Sequence, residues 1–345
     1  MKRVLYLSKT DRTGPSSRYR IYQFLPGLEA AGIRVEVSPL FRRPYFALLE
    51  RPFLPRVAGK ALYTAWRFAA RAAALLRSGR YGAVVIEHQL FPYLPPWAER
   101  ILVAAGVPFA LEFDDAIFLT PFHGRKMDTL CRLAGTVIVG NRHLAEYARA
   151  RNPSVEVVPT VVDADRYRPR EAYRLREDRP VVGWIGLKYN FPFLAEIAPA
   201  LPEGTRLRVV SSAPPALPLP PGVELDFVPW SEEREGELLA GFDVGIMPLP
   251  DTAWARGKCG LKILQYMAAG VPVAASPVGV NAEIVRHGEN GLLARGPGAW
   301  RRALAELCSS EALRARLGRA GRRTVERGYT LRHGLERLVR IYRGL

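Results

Sequence analysis

Short apolar segments alternate with longer amphipathic ones along the whole chain, and this rhythm constrains the fold more than any other feature. A first series lies at residues 3–7, 34–37, 83–86, 109–113, 136–139 and 155–158. The rhythm then restarts, at 181–185, 206–210, 224–228, 244–247, 271–275 and 291–293. Runs rich in Val, Ile and Leu suit strands buried on both faces. The intervening stretches, such as 144–150, 261–269 and 331–342, carry helical periodicity. Strand–helix alternation predicts mostly parallel sheets covered by helices. Two series predict an α/β protein of two Rossmann-like, doubly wound domains, and a length of 345 residues is enough for both.

The break between the series is charged and flanked by proline, from Tyr167-Arg168-Pro169-Arg170 to Asp178-Arg179-Pro180. The expected organisation is a domain over 1–166, a linker over 167–179 and a second domain over 180–327. A C-terminal helix over 328–345 is expected to pack back on the first domain. In open parallel sheets ligands bind at the carboxyl ends of the strands, so a site shared across a cleft between the two sheets is expected.

Three widely spaced cysteines, Cys131, Cys259 and Cys308, form no Cys-x-x-Cys pair. A disulfide framework or zinc site is not expected, and a reducing cytosol fits. The apolar run after Met1-Lys2-Arg3 is too short for a signal peptide. No run of about 20 apolar residues is present to span a membrane. A cytoplasmic protein is expected, with the inner face of the membrane as a place of peripheral attachment.

The formal charge is +17, which points to an anionic partner: nucleic acid, an acidic membrane or a phosphorylated substrate. Only seven of the cations are lysine, so a general arginine bias is an equal reading of the total. The local clusters carry more information. Between residues 42 and 80 stand Arg42, Arg43, Arg51, Arg56, Lys60, Arg67, Arg71, Arg77 and Arg80, against the single acid Glu50. Tyr45, Phe46, Leu48, Leu49, Phe53, Leu54, Trp66 and Phe68 interleave with them. Such a stretch either lies on an anionic membrane or forms a core helix with an arginine-rich outer face.

The strongest chemical signal runs from Phe242 to Ala294. An apolar strand leads into a loop with Asp251, Arg256, Gly257 and Lys258. Then follows Cys259-Gly260-Leu261-Lys262-Ile263-Leu264-Gln265, closed by Gly270-Val271-Pro272-Val273. Gly260 opens a helix whose free N–H groups and dipole favour an anion. Arg256, Lys258 and Lys262 add full charges beside it; solvated helix-end cations are the alternative. Ser276-Pro277-Val278-Gly279-Val280-Asn281-Ala282-Glu283 and Gly291-Leu292-Leu293 complete the segment.

These motifs resemble the donor-binding region of retaining glycosyltransferases of family 4, which have the GT-B fold. That family shows Glu-x7-Glu, then Gly-x-Pro-Val, Gly-Gly-x-x-Glu and Gly-Leu-Leu. The resemblance implies a nucleotide-sugar donor, retention at the anomeric carbon and no metal or other cofactor. It also implies that the helix start, Cys259-Gly260-Leu261, binds the diphosphate, and that the Gly279-to-Glu283 turn lies at the donor. The two Glu positions of the pattern fall on Gly257 and Gln265 here. Gln265 retains an amide able to bond a ribose, whereas Gly257 cannot replace a carboxylate. The family's Arg and Lys after the first strand of this domain reduce to Lys188 in Gly186-Leu187-Lys188. Lys258 and Lys262 are therefore expected to carry the diphosphate charge, with Lys258 also catalytic.

In the first domain the loop after the first strand reads Gly14-Pro15-Ser16-Ser17-Arg18-Tyr19-Arg20. Ser16 or Ser17 is expected to cap the following helix. Arg18 and Arg20 in its first turn call for an anion. The loop is similar to the acceptor side of the same family. Glu112, Asp114 and Asp115 end a later strand, where crowded carboxylates need a metal, a cation or a hydroxyl-rich ligand. The family carries a His-Asp pair there, which assigns Asp114 and Asp115 to the reacting sugar, with the His missing. A salt-bridged or capping pair is the other reading. Glu87-His88 ends another strand; His88 is read either as facing the acceptor or as a satisfied structural histidine.

The chain thus reads as a GT-B glycosyltransferase with an unidentified, lipid-linked or polysaccharide acceptor. The alternatives are a non-catalytic nucleotide- or membrane-binding homologue, an epimerase of similar fold and a nucleic-acid binder. The last lacks any recognisable helix-turn-helix, zinc-finger or RNA-binding signature.

Overall fold

All twelve apolar segments form strands. The computed structural model describes residues 1–49, 52–175 and 177–345. The first series gives β1 (Lys2–Leu7), β2 (Ile33–Val37), β3 (Ala83–Glu87), β4 (Phe109–Phe113), β5 (Thr136–Val139) and β6 (Val155–Val157). The second gives β7 (Val181–Ile185), β8 (Arg206–Ser211), β9 (Glu224–Pro229), β10 (Val244–Met247), β11 (Val273–Ala275) and β12 (Leu292–Leu293). They form two six-stranded sheets, ordered β2-β1-β3-β4-β5-β6 and β12-β11-β10-β7-β8-β9. Every neighbouring pair is parallel. β3, β4 and β7 are buried along their whole length, which explains their unbroken apolar runs.

Contacts divide the chain into one unit of Met1–Thr160 with Arg332–Leu345 and a second of Val161–Leu331. In each sheet the direction of strand addition reverses once. The reversal lies between β1 and β3 in the first unit and between β7 and β10 in the second. Successive crossovers leave such a point on opposite faces, which opens a crevice at the carboxyl ends of the two strands.

Two expectations change. Residues 167–179 read as an exposed linker, but Tyr167, Arg170 and Tyr173 are buried in the second unit. Arg170 pairs with Asp243 at 3.0 Å, both side chains fully buried, and also donates to the Phe242 carbonyl. Asp243 accepts from the Val181 backbone N–H. Local polarity hid this, because the charges are satisfied by partners far along the chain.

The second change concerns the 42–80 stretch. Its core is the helix Phe53–Leu75, and its arginines do not form the outer face. Arg67 and Arg71 point inward. Arg67 donates to the Leu40 and Pro39 carbonyls and Arg71 to those of Ser8 and Ser38. These carbonyls follow β1 and β2, where the ladders end and acceptors need partners. Burial pulls the Arg71 guanidinium down to about 9, against the attraction of Glu87. Glu50 and Arg51 of the same stretch lie outside the described residues.

Arg170→Met should leave Asp243 buried without its partner. The expected loss is about 3–5 kcal/mol, read as a lower urea midpoint for the second unit.

Candidate active site

The loop after β1 and the end of β3 converge at the reversal point of the first unit. Glu87, the last residue of β3, is buried. Its carboxylate accepts from Ser17 Oγ, at 2.7 Å to Oε2, and from the Lys9 backbone N–H at 2.9 Å. Ser17 Oγ in turn accepts from the Thr10 N–H at 3.1 Å. Burial pushes the Glu87 carboxyl above its ordinary value, against the pull of His88 and of these hydrogen bonds. Ser17 therefore ties the loop to the sheet and does not cap the helix Pro15–Arg20. The cap is Gly14, with Pro15 at the first helical position, where a missing N–H costs nothing. Ser16 bonds the Asp114 carboxylate. Arg18 is buried, with its guanidinium 5.0 Å from the Tyr19 ring.

Arg20 also has an internal role. Its Nε donates to Glu112 Oε1 at 2.7 Å and its Nη1 to the Val158 carbonyl. Glu112 further accepts from the Tyr6 hydroxyl at 2.7 Å. The three carboxylates of this strand end are thus separated by partner. Glu112 faces the interior, while Asp114 turns to His88 Nε2 at 3.3 Å. Asp115 stands beside it, half-buried, and its carbonyl accepts from Ile117.

A histidine thus does stand beside Asp114, but it comes from across the sheet, as the residue after β3. His88 reaches this position with a left-handed backbone, φ 64°, a conformation unusual outside glycine. Burial disfavours charge on Asp114. The hydrogen bond and charge of His88, the charge of Arg20 and the bond from Ser16 outweigh it and hold the carboxyl down at about 2.

The second unit brings together the loops after β7 and β10. Gly260 precedes the helix Leu261–Ala268 with φ 70°. A Cβ there would lie 2.6 Å from Ile284 Cδ1, so both backbone and space call for glycine. Lys262, in the first turn, runs back over β7. Its Cε would lie 2.7 Å from a Cβ at Gly186, and its Nζ is 5.1 Å from the Trp184 ring centre. Gly186 thus shares one place with Lys262, while Lys188, two residues on, has its Nζ 6.0 Å from the Tyr189 ring centre. The turn at Gly279 lies against the Arg256 carbonyl, where a Cβ would come within 2.7 Å. Lys258 is half-buried, 5.6 Å from the Trp254 ring centre, and Cys259 is half-buried beside it.

Arg256, Asn281, Glu283 and Gln265 were also expected at the donor. Arg256 is exposed and bonds Asp251 at 2.8 Å. Asn281 is fully buried and donates from Nδ2 to the Ser276 carbonyl, while its Oδ1 meets no donor among the described residues. Glu283 is exposed on a surface cleft with Arg286, Asn290 and Arg323. Gln265 is buried, and its amide donates to the Tyr167 hydroxyl at 3.3 Å. That hydroxyl donates to Glu235, which also accepts from Trp230 Nε1 at 3.0 Å. The sequence reading missed Tyr167, Trp230 and Glu235, for they share no motif and meet only in space. It noted Glu87 only as the strand end before His88 and gave it no role, although a carboxylate ending a buried strand was a usable signal.

Two Rossmann-like units, each with its chemistry-bearing loops at the strand reversal, make up the GT-B fold. Residues 179–310 match the family model described as "Glycosyl transferases group 1". No curated protein matches the chain. Several solved structures share the fold over the full length. A sucrose-phosphate synthase from Thermosynechococcus elongatus is similar with TM-score 0.73 and 17% identity, covering 100% of this chain and 99% of that one. Anabaena HepE in complex with UDP-glucose gives 0.69 and 17%, with 100% of both chains covered. The lipopolysaccharide outer core galactosyltransferase WaaB gives 0.63 and 13%, again over 100% of both. The matched domain and the common fold support a GT-B glycosyltransferase.

Removing His88 should release Asp114. In His88→Ala the Asp114 carboxyl, followed by carbon-13 NMR, should titrate above its present value of about 2. The sign for stability follows. Its contribution is complete above the unfolded value of 3.8 and is lost as pH falls toward 2. His88→Ala should thus flatten the acid limb of the stability profile.

Proposed function

We propose that this protein transfers a sugar from a nucleoside-diphosphate donor to an acceptor, with retention at the anomeric carbon and no resident metal. The observation that carries this reading is the convergence of Gly186, the Gly260 helix start and Lys262 at the β7–β10 reversal, within the segment that matches group 1 glycosyl transferases. Free N–H groups, a helix dipole and a lysine at one point suit a diphosphate. They would also stabilise it as the leaving group. Lys258 adds a second charge, so the protein itself supplies the cations that a metal would otherwise bring.

The first unit takes the acceptor side, through Gly14–Ser17 and His88, in this proposal. Asp114, held near 2, is too weak a base to remove a proton at neutral pH. It stays anionic, which fits it to stabilise the positive charge that develops on a reacting sugar. HepE was solved with UDP-glucose, which makes that compound the first donor to try. A panel of nucleotide sugars should raise the melting temperature of the intact chain. Lys262→Ala should weaken the binding of the effective one by roughly tenfold, or about 1.4 kcal/mol. Retention is read from the anomeric proton coupling of the product, and no shift from any donor would falsify the assignment. Donor binding without turnover would favour the non-catalytic reading.

One further observation favours attachment to an anionic membrane on the cytoplasmic side. The helix Phe53–Leu75 is inverted: with Arg67 and Arg71 inside, its exposed residues are apolar throughout. Phe53 (66% exposed), Leu62 (77%) and Trp66 (59%) stand out, joined by alanines. Arg42 and Arg43 are exposed beside its middle, where the Arg42 N–H donates to the Tyr63 hydroxyl, Arg77 and Arg80 are exposed just beyond Leu75, and no acid occurs among the described residues 37–86. An apolar row with cations beside it fits an acidic headgroup layer. A two-fold dimer through the same face would set these cations against each other. Sedimentation with vesicles should require phosphatidylglycerol. Leu62→Glu with Trp66→Glu should lower the bound fraction by roughly fivefold or more.

A further inference from the structure

Six arginines stand on the helix Glu311–Gly328, and four of them are engaged. Arg314 donates to the Tyr173, Leu307 and Cys308 carbonyls. Arg316 donates to the Gly288 carbonyl. Arg319 lies 5.5 Å from the Tyr173 ring centre. Arg322 pairs with Glu326 at 2.7 Å and donates to the Ala164, Tyr167 and Ala268 carbonyls. Arg323 and Arg327 make no hydrogen bond or ion pair with any described residue. The helix end accounts for Arg327, since cations are favoured in a last turn. It does not account for Arg323. That residue has a cation four positions away on each side, Arg319 and Arg327, and such like-charge pairs are unfavourable.

The two unengaged arginines line one cleft of about 430 Å³ in the second unit. Arg286, Glu283 and Glu289 line it with them. Arg286 is taken by Glu289 at 3.4 Å. Glu283 differs, for its carboxylate accepts no bond from any described residue, although two unpaired guanidinium groups line the same space. Opposite charges that share a cleft without meeting leave room for a ligand that bridges them. Asn290 and Thr324, also in the wall, are already satisfied by each other, by the Arg286 N–H and by the Ile284 and Ala320 carbonyls.

We propose that this cleft binds a phosphorylated sugar, with the phosphate on Arg323 and Arg327 and the sugar hydroxyls on Glu283. Guanidinium groups one helical turn apart reach one anion together. A phosphomonoester has three terminal oxygens to occupy both forks, whereas a carboxylate is filled by one. The Glu283 carboxylate accepts and does not donate, so the rest of the ligand must carry hydroxyl donors. Inorganic phosphate alone leaves Glu283 unmet. An extended polyanion runs onto Glu283 and Glu289, where like charge opposes it. Neither donor binding nor sugar transfer enters this proposal. Ile284 lines the cleft and also lies against Gly260, so binding here has to be told apart from a phosphate at that helix start.

The test is calorimetric titration of the full chain without nucleotide. The ligands are ribose 5-phosphate, glucose 6-phosphate and mannose 6-phosphate, their parent sugars and inorganic phosphate. At least one sugar phosphate should bind with Kd below about 1 mM, and roughly tenfold tighter than inorganic phosphate or its parent sugar. Arg323→Gln and Arg327→Gln should each weaken it by roughly tenfold. Neither arginine has a partner to lose, so both variants should melt within about 2 °C of the parent. Glu283→Ala should bring the sugar phosphate to within about threefold of inorganic phosphate. Lys262→Ala should leave its Kd unchanged, and the melting shift from nucleotide sugars should be the same in both arginine variants. The proposal is overturned if no sugar phosphate binds, if inorganic phosphate binds as tightly, or if the arginine variants keep the parent affinity. It is also overturned if Lys262→Ala abolishes binding, which assigns the phosphate to the Gly260 helix start.

Discussion

A parallel strand cannot be followed by a hairpin, so each strand here returns through a crossover on one face of its sheet. Where the direction of strand addition reverses, two successive crossovers leave on opposite faces and nothing covers the strand ends between them. The chain makes this reversal twice, at β1–β3 and at β7–β10. The rest of the chemistry depends on it. Ser17 meets Glu87 at the first reversal, and Lys262 meets Gly186 at the second. The residues of each pair are far apart in sequence, and they become neighbours because the sheet leaves a gap there.

Arginine does much of the internal work of satisfying backbone carbonyls. Arg67 and Arg71 serve the ends of β1 and β2, Arg20 serves Val158, and Arg170 serves Phe242. Arg314 reaches the carbonyls of Tyr173, Leu307 and Cys308 from one guanidinium. A planar fork of five donors is suited to this, because several acceptors can share one side chain. The formal charge of +17 therefore overstates the cationic surface. It also explains how the helix Phe53–Leu75 comes to show its apolar residues outward: its inner face is occupied by charge.

The candidate residues of the two units differ in sign. The first unit collects carboxylates, and each is bonded by a distinct partner: Glu87 by Ser17 and the Lys9 amide, Glu112 by Arg20, Asp114 by His88. The second unit collects a helix start and lysines.

The strand series, the two Rossmann-like sheets and the helix that opens after Gly260 were legible in the sequence because they are local. Period, glycine placement and a charged helix start are set by neighbours along the chain. The partners of charged groups were not legible. Tyr167 and Arg170 read as linker and are core, Gln265 bonds a tyrosine nearly a hundred residues away, and the arginines of residues 42–80 are divided between interior and surface. The histidine that meets Asp114 is His88, which follows a different strand. Sequence by itself determined the elements and their order. Only the tertiary structure decided which polar groups meet, because a buried charge must find its partner across the sheet and not along the chain.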